Sequence, residues 1–156
     1  MMRNKIALWI LCLFASTLLF AQKVEISSDT MKAHEQKKEI HFIGNVYIHQ
    51  NESWLRGDKV IVYFTKNNKT DRYEAIGDVT FEFKDERGHY KGKAHTAIYY
   101  PAKSKYILKD KAEITDILNS RQLEGSEIIL DMKTGNASVK GGKKKPVKFI
   151  FDAEKK

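Results

Sequence analysis

From Ile40 onward, apolar and polar residues alternate: Ile40, Phe42, Val46 and Ile48, then Val60, Val62 and Phe64, then Val79, Phe81 and Phe83. A period of two marks strands with one buried face. The stretches between them, Lys66-Asn67-Asn68-Lys69-Thr70-Asp71, Lys84-Asp85-Glu86-Arg87-Gly88 and Lys133-Thr134-Gly135-Asn136, carry the Gly, Asn and Asp that turns with positive φ require. The pattern predicts a chain made almost wholly of strands and turns. Residues 27–39, the one segment with a helical look, are short and charged and read as strand, turn, strand.

The strands fall into a weak repeat. Ile43-Gly44-Asn45-Val46 returns 33 residues later as Ile76-Gly77-Asp78-Val79, and again, degraded, as Leu108-Lys109-Asp110-Lys111-Ala112. Between these stand Leu55-Arg56-Gly57-Asp58, Tyr90-Lys91-Gly92-Lys93 and Leu123-Glu124-Gly125-Ser126. Three, five and seven residues beyond each of these glycines come Val60, Val62, Phe64, then His95, Ala97, Tyr99, then Ile128, Leu130, Met132, so one face of each such strand is mostly apolar. A repeat of this length leaves a propeller, a β-solenoid or an elongated antiparallel jelly roll, and three units are too few for a propeller. The glycines are expected where strands bend around a corner. A roll that does not close keeps two edge strands with unpaired N–H and C=O groups, open to strand addition.

Ahead of this region, Arg3 and Lys5 precede an apolar run from Ile6 to Phe20 that ends at the small residue Ala21. This reads as a secretion signal over residues 1–21, cleaved after Ala21, with residues 22–156 forming a single domain. The run is shorter than the roughly 20 apolar residues of a spanning helix, although an uncleaved anchor remains the alternative. The only cysteine, Cys12, lies in the leader, so the rest has no disulfide, thiolate nucleophile or Cys metal site. The chain's formal charge is +8, and +6 once Arg3 and Lys5 are removed. That balance suits a phosphate-bearing partner. Arg56, Lys59, Lys91 and Lys93 are candidates for phosphate and sugar contacts, with an ordinary solvated strand surface as the plain alternative. Lys143-Lys144-Lys145 lacks interleaved aromatics, and nucleic acid is not an expected partner.

Catalysis finds no support. His34, His41, His49, His89 and His95 have no metal-ligand spacing, no Gly-x-Ser-x-Gly elbow occurs, and no phosphate-binding loop is present. No enzyme activity, metal or cofactor is expected. The apolar faces either fill a closed core or line a channel, and alternation alone does not separate the two. On the channel reading the lining is Val24, Ile26, Ile40, Phe42, Val46, Ile48, Val60, Val62, Phe64, Phe81, Phe83, Ala97, Tyr99, Leu130 and Met132.

Val24-Glu25-Ile26-Ser27-Ser28-Asp29, Ile43-Gly44-Asn45-Val46, Leu55-Arg56-Gly57-Asp58-Lys59-Val60 and Gly135-Asn136-Ala137, behind a leader, together resemble the LptA/OstA-like family of lipopolysaccharide-transport proteins. The resemblance spans Val24 to Asp152. It implies an all-β, slightly twisted antiparallel β-jelly roll in the periplasm, open along one side, that shelters the acyl chains of lipopolysaccharide (lipid A). It implies an N-terminal edge (Val24, Glu25, Ile26, Ser27) that meets an LptC-like inner-membrane partner. The C-terminal edge (Val147, Lys148, Phe149, Ile150, Phe151) would meet an LptD-like outer-membrane partner or a further copy, head to tail. Lys109-Asp110-Lys111 replaces the family's frequent Gly-Asn pair, and Gly125-Ser126 its Gly-Asp. The alternatives are a membrane-anchored LptC-like homologue and a structural β-filament with a filled core and no lipid ligand.

Overall fold

The alternating segments fold as ten strands among residues 23–153, which are those described by a computed structural model. The leader and its cleavage point lie outside the described residues. In chain order the strands are β1 (Glu25–Ser27), β2 (Thr30–His34), β3 (Glu39–Gln50), β4 (Ser53–Phe64), β5 (Thr70–Asp85), β6 (Gly88–Tyr100), β7 (Lys105–Asp116), β8 (Arg121–Asp131), β9 (Asn136–Lys140) and β10 (Lys148–Phe151). A single 3-10 turn, Pro101–Lys103, links β6 to β7. The strand, turn, strand expected over residues 27–39 is present as the end of β1, β2, a turn and the start of β3.

All ten belong to one antiparallel sheet ordered β1-β3-β4-β5-β6-β7-β8-β10, with β2 also on β3 and β9 also on β8. Each outermost position is thus shared by two short strands end to end. Ile26 pairs with Ile48 while Met31 pairs with Phe42, and Phe149 pairs with Leu123 while Val139 pairs with Ile128. First and last positions do not pair with each other, so the sheet stays open.

One line of irregularities crosses the whole sheet. The register shifts between Ile43 and Val46, Arg56 and Lys59, Ile76 and Val79, Lys93 and Thr96, and Lys109 and Ala112. These are the β-bulges that let strands turn a corner. In β3, β5 and β7 the corner is made by two consecutive residues with positive φ: Gly44 (84°) and Asn45 (48°), Gly77 (87°) and Asp78 (42°), Asp110 (64°) and Lys111 (53°). The degraded third repeat keeps the backbone of the other two and bears the left-handed cost on Asp and Lys. At Gly77 a side chain is excluded twice over, by φ and by the Asp58 carboxylate lying against its Cα. Asp29 does the same for Gly44 and binds the corner, its amide donating to Gly44 O (2.9 Å) and its Oδ2 accepting from Asn45 Nδ2 (2.9 Å).

The second unit departs from expectation. Its bend falls at Ala94-His95, leaving His95 exposed. Gly92 instead lies flat beneath the Phe81 ring, where any Cβ would collide with it.

Burial follows the crease. Val46, Val60, Val79, Leu108 and Ile128 are the most completely buried large side chains, none more than 1% exposed. They form two adjoining clusters, one with Val62 and Ala75, the other with Ala94, Ala112 and Ile114. Away from the crease toward the turns, inner-face residues such as Phe42, Phe64, Phe81, Tyr90 and Leu123 are only half-buried. Burial that is complete at the corner and fades along both arms describes a trough running from the β1/β2 edge to the β9/β10 edge.

Candidate functional site

The inner wall is built from cross-strand ladders. On one arm Phe42, Val60, Ala75, Ala97, Leu108, Ile128 and Val139 are successive pairing partners. Beside them run Ile40, Val62, Tyr73, Tyr99, Tyr106, Leu130 and Ala137. On the other arm the row is Ile26, Ile48, Leu55, Phe81, Gly92, Ile114, Leu123 and Phe149. Each row crosses the sheet, so the apolar surface is continuous from edge to edge.

Three tyrosines stack along the second row, Tyr73 on Tyr99 at 6.1 Å and Tyr99 on Tyr106 at 4.4 Å between ring centroids. Burial, reinforced by the Tyr99 phenol, pushes the Tyr106 phenol well above its ordinary pKa. It is neutral at any physiological pH and acts as apolar wall.

Toward the C-terminal edge the trough opens into a cavity of about 430 Å³ whose walls include Phe81, Tyr90, Tyr106, Leu123, Leu130 and Phe149. Asp116 and Arg121 stand at its rim, joined by a 2.7 Å hydrogen bond from Arg121 Nη2. Burial raises the Asp116 carboxyl, but Arg121 and the Asn119 amides lower it further, and the net shift is downward. On the adjoining hairpin Arg87 donates from Nε and Nη2 to Asp85 and lies 5.4 Å from the Phe83 ring centroid.

The structure gathers most of the expected lining. Ile26, Ile40, Phe42, Val46, Ile48, Val60, Val62, Phe64, Phe81, Ala97, Tyr99 and Leu130 stand on the inner face or pack against its clusters. Phe83 and Met132 line the cavity. Val24 precedes β1 and is 48% exposed.

The four cations expected near a groove mouth are on the outer face instead. Arg56 sits over Tyr47 and Trp54, at 4.9 and 5.6 Å from their centroids. Lys93 pairs with Glu113 at 3.4 Å. Lys91 is aligned with Glu82 and Thr115, and Lys59 with Ile43 and Ile76.

Parity explains both this and the wall residues that alternation missed. The corner keeps the inward parity in β3, β5 and β7, and inverts it in β4, β6 and β8. Beyond the bend, Leu55, Tyr90 and Leu123 therefore face inward, and Arg56, Lys91 and Lys93 outward. Gly57 and Gly125, expected where strands bend, were the available signal, and the register shifts lie beside them.

At the edges β1 and β10 carry Glu25, Ile26 and Ser27, and Lys148, Phe149, Ile150 and Phe151, while Val24 and Val147, also expected there, fall just outside the two strands. Glu25 to Ser27 pair with β3 on one side only, and Lys148 to Phe151 with β8. Val147, Phe149, Ile150 and Phe151 are 43%, 50%, 49% and 59% exposed, an unusual density of bare apolar side chains. Among the described residues no group of three His, Cys, Asp or Glu side chains comes together as metal ligands do.

A family described as LptA/(LptD N-terminal domain) LPS transport protein matches residues 25–136. The chain belongs to this family. Its fold is that of LptH, the LptA-homologous periplasmic component of the lipopolysaccharide transport device of Pseudomonas aeruginosa. The crystal structure of LptH superposes with a TM-score of 0.72 at 16% identity, covering 85% of this chain and 96% of that one. No curated protein matches the sequence. The jelly roll implied by the opening resemblance is thus the observed one, and the family to which the chain belongs is one of lipopolysaccharide transport.

Proposed function

We propose that this LptA-like protein is a periplasmic carrier and bridge. Its trough shields the acyl chains of lipopolysaccharide while the edges of its sheet join it to its neighbours. The observation that carries the reading is the wall itself: an apolar face continuous between two unpaired sheet edges, buried at the crease and half-exposed along both arms. A closed sandwich would bury that face completely, because leaving aromatic and aliphatic side chains in water costs about 25 cal/mol per Å². A lipid supplies the missing partner. Each acyl methylene taken from water contributes about 0.8 kcal/mol, so a twelve-carbon chain gains about 9 kcal/mol.

The same geometry supports bridging. The trough is open at both ends, and a second copy or homologous domain that adds its strand to β1/β2 or β9/β10 extends sheet and wall together. In this reading the β1/β2 edge receives an LptC-like inner-membrane partner. The β9/β10 edge receives an LptD-like outer-membrane partner or another copy. Residues 1–21 direct secretion and are removed after Ala21, leaving residues 22–156 as one domain. The protein moves lipid without chemistry of its own, and transport is driven by other components.

The test is binding of a neutral apolar dye, N-phenyl-1-naphthylamine, to the secreted protein, followed by displacement with lipopolysaccharide. Saturable dye fluorescence lost on adding lipopolysaccharide is expected. No dye binding by the folded protein would mean a filled core and a structural role.

A further inference from the structure

Two guanidinium groups stand at the slit of the trough, and the fold gives neither a complete set of partners. Arg121 opens β8 beside the cavity, and Arg87 occupies the turn between β5 and β6. Their hairpins are neighbours, pinned by the Ile117 amide donating to His89 O at 2.9 Å. A guanidinium has five N–H donors. Arg121 places Nη2 on Asp116, and Arg87 places Nε and Nη2 on Asp85 Oδ2 at 3.0 and 2.9 Å. The two side chains are 50% and 60% exposed, with donors left for a ligand.

Their surroundings distinguish them from the outer-face cations. Asp116, only 8% exposed, is the one buried charged residue of the described chain and is fixed by Asn119 (Nδ2, 2.9 Å) as well as by Arg121. A carboxylate set in an apolar wall is costly unless paired. Here it holds Arg121 at the rim with its remaining donors free. Arg87 leans over Phe83, 5.4 Å from its ring centroid, and Phe83 lines the cavity, which sets Arg87 at the same opening as Arg121. Asp131, the other carboxylate lining the cavity, is engaged through Oδ1 by the Lys133 and Thr134 amides. An amphiphile with its chains among Phe81, Leu123 and Leu130 would bring its headgroup out between these two arginines.

We propose that Arg87 and Arg121 form a two-point clamp for the phosphates of an acylated headgroup, making the trough selective for bis-phosphorylated amphiphiles over singly phosphorylated ones. The clamp rests on the lipid-carrier reading. It assigns headgroup recognition to the slit, away from the outer-face cations.

The test compares diphosphoryl lipid A, monophosphoryl lipid A and inorganic pyrophosphate as competitors of N-phenyl-1-naphthylamine on the secreted protein. The wild type should bind the diphosphoryl form at least about tenfold tighter than the monophosphoryl form, the scale of one charge-assisted hydrogen bond. Pyrophosphate should not displace the dye. Arg87→Gln should erase most of the preference and leave dye affinity unchanged. Because Arg121→Gln alone strands the Asp116 charge, Arg121→Gln is made together with Asp116→Asn, and Arg121→Lys should restore part of the preference. Equal affinity of the wild type for both lipids, or a preference that persists in the Arg87→Gln/Arg121→Gln/Asp116→Asn variant, would overturn the clamp. Dye bound without phosphate preference refutes the clamp alone, whereas no dye binding refutes the carrier reading beneath it. A preference for free pyrophosphate would make this a phosphate site unconnected to the trough, contrary to the proposal.

Discussion

Leu108 and Leu130 are both inner-face leucines packed with the same apolar cluster, yet truncating them should have different costs. Leu108 borders the same 430 Å³ cavity as Leu130 but at its floor, 1% exposed at the crease between Ala97 and Ile128. Leu108→Ala removes buried methyl groups and leaves a void that the corner cannot collapse, so both transfer and cavity costs apply and the loss should be about 3 kcal/mol. In a domain of this size that lowers Tm by about 10 °C. Leu130 is half-buried on the wall of the 430 Å³ cavity. Leu130→Ala enlarges a space that already exists, so the cavity cost vanishes and part of the transfer cost remains, about 1 kcal/mol. Urea unfolding of both variants, with m-values checked for constancy, measures the difference. Losses equal to within about 0.5 kcal/mol would refute the reasoning, since equal costs mean that the wall is packed as tightly as the crease. Lipid binding should show the reverse order, with Leu130→Ala weakened more than Leu108→Ala, whose side chain at the cavity floor is only 1% exposed.

Further outcomes follow from single sites. Gly77→Ala should cost well over the roughly 1–2 kcal/mol of a left-handed residue, because its methyl group meets Asp58, whereas Gly135→Ala, at φ 75° with open space around it, should cost only that amount; thermal denaturation of the pair checks this. Gly92→Val should push the Phe81 ring off its seat, lowering both stability and dye binding, which a combined melt and titration would show. The folded-state pKa of Asp116 is depressed, so its contribution to stability is present above the unfolded value near 4 and is lost as pH falls through the folded value. Asp116→Asn should therefore flatten the fall in urea midpoint on acidification below about pH 4, and an unchanged slope would contradict the pairing with Arg121.

Much of the fold was legible because alternation is a local signal. Val60-x-Val62-x-Phe64 and Val79-x-Phe81-x-Phe83 gave strands and inner face together, and the Gly-Asn and Gly-Asp pairs marked two corners of the crease. Asp110-Lys111 makes the same corner without glycine, as its place in the repeat suggested. What alternation could not carry was the change of parity across Gly57, Ala94 and Gly125. A single extra residue in a bulge moves Arg56, Lys91 and Lys93 from the wall to the outer face and brings Leu55, Tyr90 and Leu123 in. The sharing of each edge position by two strands was hidden for another reason: a strand was expected within residues 27–39, but nothing in β2 or β9 says which half of its longer neighbour it pairs with. Ile61, between the inward Val60 and Val62, faces outward but is only 8% exposed, in line on the outer face with Glu74, Ile98, Ile107 and Ile129. Opposite parity therefore does not guarantee exposure.

The carrier claim is tested most directly inside the cells that make the protein. A photo-crosslinking residue is placed at Phe64 or Tyr99 on the wall, or at Lys91, exposed on the outer face, and adducts are probed for lipopolysaccharide. Adducts at Phe64 and Tyr99 with none at Lys91 are expected. Folded, correctly located protein that gives no adduct from either wall position, or gives it equally from Lys91, would contradict a lipid-filled trough.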